Sequence, residues 1–280
     1  MWMSKPPVEA QLTDDIRKHY DVLSRFYHLL WGPHIHHGYW EGNETPGEAQ
    51  IKLIERLAAR LQIAPEHRVL DIGCGLGGSA CWLAKTFGCS VLGLTLSPVQ
   101  ARAAEKRAVE EGVDNLVSFQ VHDANKLDLP SETFDRICII ECSEHIHDKQ
   151  AFFSDCARLL RPGGRLGLCA WLRGSTSRPE HEELVEEICG AMLCPSLLTM
   201  EEQVSMLDTA GFREVDAENI AANVLPTWQH CRRLVRNPAV QLILHLKAGK
   251  LRRFVDSFEL MEKGYREGAM AYGMLTAAKG

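Results

Sequence analysis

The chain of 280 residues has no apolar run approaching the length of a membrane span, no internal repeat and no low-complexity linker. Its opening residues, Met1-Trp2-Met3-Ser4-Lys5-Pro6-Pro7, carry neither the apolar core of a signal peptide nor an Arg/Ser-rich transit composition, so a cytoplasmic location is expected. An excess of basic residues is missing too. The 31 Lys and Arg against 37 Asp and Glu leave a formal charge of −6, which argues against a general nucleic-acid binder. There are ten cysteines but no C-x-x-C pair; the nearest approaches are Cys138 with Cys142 and Cys189 with Cys194. Buried free thiols in a reducing compartment are therefore expected, rather than disulfides or a metal site. What is present, 45% apolar and 24% charged residues, suits a globular chain that buries a sizeable core.

The stretch that organises the rest is Val69-Leu70-Asp71-Ile72-Gly73-Cys74-Gly75-Leu76-Gly77-Gly78, a short buried strand breaking into a glycine turn that opens a helix. Such a turn lets a ligand lie against bare peptide at the mouth of a parallel sheet. Gly73, Gly75 and Gly78 fit the dinucleotide fingerprint, whereas Gly73, Gly75 and Gly77 fit the G-x-G-x-G turn of methyltransferases. Asp71 ends the strand, where a carboxylate repels a pyrophosphate but tolerates a cationic sulfonium with an amino-acid tail. A nicotinamide site also wants an acid roughly 20 residues beyond the glycines. Here the second strand ends Val91-Leu92-Gly93-Leu94-Thr95-Leu96, without one. The balance favours S-adenosylmethionine.

In chain order, Asp14 to Leu30 predicts a helix with Ile16, Tyr20, Leu23, Tyr27 and Leu30 on one face. The loop Trp31 to Trp40, dense in aromatic and imidazole groups, reads as a packed loop or as a lid over a cofactor. Adjacent His36 and His37 point apart in an extended segment, which disfavours a metal. Thr45-Pro46-Gly47-Glu48, Ser97-Pro98-Val99-Gln100 and Thr199-Met200-Glu201-Glu202 are capping boxes that start helices, so Gln100 has a structural role as well as a candidate ligand-facing one. Val117 to Val121 is a third strand leading to Asp123, placed to accept from an adenine amino group or simply to start a turn. The fourth strand, Arg136 to Ile140, ends in Glu141-Cys142-Ser143-Glu144-His145, where such a sheet places reacting groups. Pro162-Gly163-Gly164 reads as the turn into a fifth strand, Arg165 to Trp171. An insertion from Leu172 to Leu198, a strand from Phe212 to Glu218 and a last strand from Met270 follow. Between Glu218 and Asp256 there is no acid but there are seven basic residues, Arg232, Arg233, Arg236, Lys247, Lys250, Arg252 and Arg253. The segment 228–253 reads as a solvated face or as a surface for an anionic substrate or a peripheral membrane contact. The alternation predicts one α/β domain with a doubly wound, Rossmann-like, mostly parallel seven-stranded sheet. Its parts would be an N-terminal helical lid (11–45), a cofactor-binding core (46–222), a helical cap (223–268) and the last strand (269–280).

Taken together these segments resemble the class I S-adenosylmethionine-dependent methyltransferases, and within them the tocopherol C-methyltransferase group, over nearly the whole chain. The resemblance rests on Val69 to Gly78, on Gly93-Leu94-Thr95-Leu96-Ser97-Pro98-Val99-Gln100, on Trp31-Gly32-Pro33-His34-Ile35-His36-His37-Gly38-Tyr39 and on Glu259 to Gly268. The second of these is shared with cyclopropane-fatty-acid synthases, where threonine and leucine replace the ribose-binding acid. The resemblance implies that Asp71, Gly73, Gly75 and Gly77 hold the methionine part of the cofactor. It sets Thr95, Leu96 and Gln100 along the ribose and Asp123, Ala124 and Asn125 around the adenine. Glu141 and Ser143 would lie beneath the sulfonium and Tyr20 would reach it from the lid, with Trp31, His36, His37 and Tyr39 over the acceptor.

Methyl transfer is an in-line displacement at an activated carbon, so the protein mainly aligns the reactants and excludes water. A phenol or protonated amine must lose a proton, for which His145 is the first candidate base, with a structural role as its alternative and His36 or His37 in reserve. The expected reaction is C- or N-methylation of a small aromatic, prenylated, quinol-type or amine-containing acceptor. The alternatives are a cyclopropane-synthase-like enzyme on lipid acyl chains and, more remotely, a nicotinamide oxidoreductase. Glu141-Cys142-Ser143-Glu144 bears no likeness to the Asn/Asp-Pro-Pro-Tyr motif of nucleic-acid adenine methyltransferases.

Overall fold

The computed structural model describes residues 8–32, 34–176, 178–237, 240 and 250–280. In chain order the elements are α1 (Val8–Trp31), α2 (Pro46–Leu61), β1 (Arg68–Ile72), α3 (Gly78–Phe87), β2 (Ser90–Thr95), α4 (Pro98–Glu111), β3 (Val117–Val121) and β4 (Phe134–Ile140). There follow α5 (Lys149–Leu159), β5 (Leu160–Arg173), α6 (Pro179–Met192), α7 (Met200–Thr209), β6 (Phe212–Asn219), α8 (Ala221–Val235), α9 (Lys250–Glu267) and β7 (Met270–Lys279). The sheet runs β3-β2-β1-β4-β5-β7-β6; the first five strands are parallel, and β7 lies antiparallel to both β5 and β6. Chain order reverses between β1 and β4, and in open α/β sheets ligands bind beyond the carboxyl ends of the strands at that point.

Both faces of the sheet are buried. Val69 and Cys138 join a core with α2, α3, α8 and α9, while Leu70, Ile72, Ile137 and Ile139 join a second core with α5 and α7. This double burial is why β1 and β4 read as continuous apolar runs rather than alternating ones.

The capping predictions fare differently. The Thr45 and Thr199 boxes form in full, each hydroxyl accepting the N–H of a glutamate whose carboxylate accepts the threonine N–H. The Ser97 box is only half formed. Ser97 Oγ accepts the Gln100 N–H at 3.1 Å, but the Gln100 carboxamide turns to accept from Thr95 Oγ1 at 2.8 Å. One further expectation is corrected, and the expected insertion acquires a structure. Pro162-Gly163-Gly164 does not separate from β5 as a turn; Leu160 already pairs with Phe134, and the three residues form an irregularity inside the strand, with Gly163 left-handed at φ 74°. The insertion 172–198 carries α6, which packs on α9.

In the basic segment the described arginines differ: Arg232 is tied down, whereas Arg233 and Arg236 are exposed, as on a solvated face. Arg232 bonds to Glu262 at 2.6 Å, and Arg266 reaches the same carboxylate at 2.6 Å. Arg233 and Arg236 line a cleft with them. Lys247, and the side chains of Lys250, Arg252 and Arg253, lie outside the described residues.

The glycine turn is held from behind. The N–H groups of Gly73 and Cys74 both donate to Leu94 O at 2.9 Å, tying the turn to the end of β2. Gly73 has φ 82°, and a Cβ there would stand 2.5 Å from Cys142 Cβ and 2.6 Å from its Sγ. Gly73→Ala should therefore combine left-handed strain with overpacking and lower stability by about 2–4 kcal/mol in urea unfolding. Adding Cys142→Gly should recover part of that loss.

Candidate active site

A cleft with about 1010 Å³ of empty space opens beyond β1, β2 and β4. Tyr20, Asp71, Gly73, Gly75, Thr95, Leu96, Gln100, Asp123, Ala124, Asn125, Glu141 and His145 all line it, although they come from five separate stretches of chain. Gly77 and Ser143, expected there, do not. A Cβ on Gly77 would meet Ala104 Cβ at 2.7 Å, so its smallness serves the packing of α3 on α4, and Ser143 is buried at the start of a short 3₁₀ turn, Ser143–His145. Asp123 realises its turn role, with Oδ1 accepting the backbone and side-chain N–H groups of Asn125 at 2.9 Å each. Sequence reasoning missed Thr13, Ile16 and His34, which line the same cleft.

The cleft has a cradle and a charge to go with it. Gly75 sits at φ 53°, and a Cβ there would meet nothing within 4 Å, so the peptide faces open space. Asp71 is buried, its Oδ2 has no partner among the described residues, and burial pushes its carboxyl up to about 7. An unpaired buried carboxyl beside bare peptide suits a ligand with a cationic end.

The 34–40 part of the expected lid lines the cavities through residues 34–37 and is tied down by hydrogen bonds. Gly38 N–H and Trp40 Nε1–H donate to Thr227 Oγ1, Tyr39 N–H donates to Ala49 O, and Gln50 Nε2 donates to the carbonyls of His34 and His36. Tyr39 turns away from the cavities and lies under the Arg56 guanidinium at 4.6 Å. The covering element is α1, whose Thr13, Ile16 and Tyr20 roof the cleft and whose Asp21 accepts from Ser97 Oγ. The side chain of Trp31 lies outside the described residues.

Glu141 anchors this wall. Its backbone is left-handed, φ 52°, an uncommon state for a non-glycine residue that clusters at functional sites. Its Oε1 accepts from His37 N at 2.7 Å, His37 Nδ1 at 2.9 Å and Tyr272 Oη at 2.8 Å. His37 Nε2 in turn accepts from Trp228 Nε1 at 2.6 Å. With Nδ1 against a carboxylate and Nε2 against an indole N–H, both ring nitrogens of His37 are engaged within the protein.

A second cavity, about 520 Å³ of empty space, adjoins the first and shares Tyr20, Ile35, His36, Glu141 and His145 with it; Glu144, Trp171, Met192, Thr227 and Trp228 complete it. The expected near-neutral imidazole at His145 is corrected here. Burial pushes His145 down to about 4; its Nδ1–H faces Leu193 O at 3.2 Å, and its Nε2 accepts from Tyr20 Oη at 3.0 Å. Glu144, three residues from Glu141, behaves oppositely. Burial and the neighbouring Glu141 raise it to about 8, whereas the His37 contacts outweigh burial and hold Glu141 down at about 2. One short loop thus holds two nearby carboxyls with opposite protonation preferences.

Because the folded-state value of Glu141 lies below the ordinary 4.5, its contribution to stability is complete above pH 4.5 and is lost as pH falls towards 2. Glu141→Gln should thus lower stability at pH 7 by on the order of 3 kcal/mol. The gap to the unchanged protein should narrow below pH 4.5 in parallel urea titrations.

The model of the mycolic acid cyclopropane synthetase family matches residues 9–270. The chain is 30% identical over 284 residues to a probable tocopherol O-methyltransferase, chloroplastic, of Oryza sativa subsp. japonica, covering 96% of this chain and 78% of the relative. It is 30% identical over 269 residues to the 27-O-demethylrifamycin SV methyltransferase of Amycolatopsis mediterranei, covering 95% and 97%. Its fold matches the geranyl diphosphate C-methyltransferase of Streptomyces coelicolor A3(2), solved with Mg²⁺, geranyl diphosphate and S-adenosyl-L-homocysteine, at a TM-score of 0.75, 20% identity and coverages of 98% and 100%. The chain belongs to the mycolic acid cyclopropane synthetase family and is an S-adenosylmethionine-dependent methyltransferase.

Proposed function

We propose that the larger cleft binds S-adenosylmethionine, that the adjoining cavity binds the methyl acceptor, and that the acceptor is a small aromatic, prenylated or amine-bearing molecule methylated at carbon or nitrogen. The observation that carries this reading is the open Gly75 peptide beside the unpaired, buried Asp71 carboxyl, in a cleft that shares a wall with a second, aromatic-lined cavity. Asp71 would meet the cationic amino end of the cofactor, Thr95, Leu96 and Gln100 the ribose, and Asp123, Ala124 and Asn125 the adenine. When bound, the cofactor supplies a methyl carbon on a positively charged sulfur whose leaving group is a neutral thioether.

The protein's own residues would then do three things. Glu141, fixed by three donors, stands where the two cavities meet and places a full negative charge beside a cationic methyl donor. Tyr20, oriented by His145, closes the shared wall from α1 and keeps water out. Glu144 takes the acceptor's proton as the new bond to methyl forms and the old bond's electron pair leaves with sulfur. His145 is thus a positioning residue. The polar wall of the second cavity, with Glu144, His36 and Thr227, also fits a functionalised small molecule better than a plain acyl chain.

The direct test is transfer from labelled S-adenosylmethionine to a panel of prenylated phenols, amines, prenyl diphosphates and phospholipids, with products read by mass spectrometry. Gly75→Ala should fold, yet bind S-adenosylhomocysteine at least about tenfold more weakly, because the new Cβ occupies the open cradle. Binding at the unchanged level would remove the cofactor from this cleft. With Glu144 as the base, kcat/KM should rise with pH and level off above about 8. Glu144→Gln should lose that limb and about 10²–10⁴ in rate while binding S-adenosylhomocysteine normally.

A further inference from the structure

We propose that the methyl acceptor is gripped by a neutral hydroxyl group held in the second cavity between the Trp171 indole N–H and the His36 imidazole nitrogen, and that acceptors ending in a phosphate or diphosphate are rejected there. The proposal rests on the reading of that cavity as the acceptor site and goes beyond it by choosing among acceptor chemistries.

Most of the polar groups on this wall are satisfied from within the protein: both nitrogens of His37, Glu141 Oε1 and Thr227 Oγ1 have partners. Three buried atoms of residues lining the cavity do not, among the described residues: Trp171 Nε1, His36 Nε2 and Glu144 Oε2. A buried polar atom left unpaired costs about 1–3 kcal/mol, and three around one cavity call for an occupant. Their chemistry defines it. Indole is a donor only. His36 directs Nδ1 at His37 O, 2.7 Å away, so that nitrogen carries the proton and Nε2 is left as a bare acceptor; burial keeps the ring neutral.

The occupant must therefore accept and donate at once. An ammonium has no lone pair for the indole, an ether oxygen has no proton for the imidazole, and a phosphate offers chiefly acceptors. A hydroxyl does both, with Glu144 as its third neighbour. Charge selects in the same direction: the cavity's ionisable lining includes two acids, Glu141 and Glu144, and no lysine or arginine among the described residues. An anionic head would enter a negative pocket without a cation. The indoles of Trp171 and Trp228 add flat aromatic surface, which suits a phenol.

The test is calorimetric titration of the full-length protein, saturated with S-adenosylhomocysteine, with 4-prenylphenol, its methyl ether and its phosphate monoester. The phenol should bind about tenfold or more tightly than either analogue. Trp171→Phe should shrink the phenol-to-ether preference to less than about threefold, while affinity for S-adenosylhomocysteine stays within about twofold. Equal binding of the ether, tighter binding of the phosphate ester, or no binding of any probe to the loaded protein overturns the proposal. Failure of S-adenosylhomocysteine itself to bind overturns instead the cofactor assignment on which it rests.

Discussion

One carboxylate oxygen, Oε1 of Glu141, holds the candidate site together. It accepts from the backbone and ring of His37 on one side and from Tyr272 of β7 on the other, so the end of β4, the 34–40 segment and the antiparallel edge of the sheet meet at one charge. The strained backbone of Glu141 is sustained because these donors over-determine it. The chain of contacts continues through His37 to Trp228 of α8, so the side chain that braces the larger cleft is also tied to the far wall of the second cavity. Neither cavity can change shape at this wall without disturbing the other.

The same few residues show how one loop sustains two opposite protonation states. Glu141 and Glu144 are both buried and both follow β4. Glu141 is surrounded by donors and stays ionised. Among the described residues, Glu144 accepts from Trp171 N through Oε1, leaves Oε2 unpaired and feels the charge of Glu141. Nothing in the residue types distinguishes them; the donors do. His145, the side chain whose ordinary pKa best suits a base, is shifted away from neutrality by the same environment, because burial penalises its cation, and Tyr20 Oη lies against its Nε2.

This difference marks how far the sequence is legible. The strands, their order of appearance, the Thr45 and Thr199 caps and the glycine turn are local or periodic signals, and they appear in the structure within a few residues of where the pattern places them. The convergence of Asp71, Thr95, Gln100, Asp123 and Glu141 on one cleft was legible as well, because a doubly wound sheet brings the carboxyl ends of its strands together. Gly77 and Ser143 do not line the cleft, for a local reason: proximity in sequence to a lining residue does not decide which side a side chain takes. The Gln100 capping role failed because a buried threonine hydroxyl competed successfully for its carboxamide.

The second cavity was hardly legible, and its construction explains why. Its walls come from residues 20, 35–37, 141, 144–145, 171, 192 and 227–228, joined by contacts such as Trp228 to His37, 191 positions apart. No period or motif links those positions. Trp228 reads as one more apolar residue on an amphipathic helix, and Trp171 as the end of a strand. Their meaning lies in which of their polar atoms the fold leaves unpaired, and that appears only when every neighbour has been placed. A scaffold can therefore keep its glycine turn recognisable in sequence while the hydrogen-bonding character of a neighbouring cavity is set by a handful of atoms that distant parts of the chain bring together.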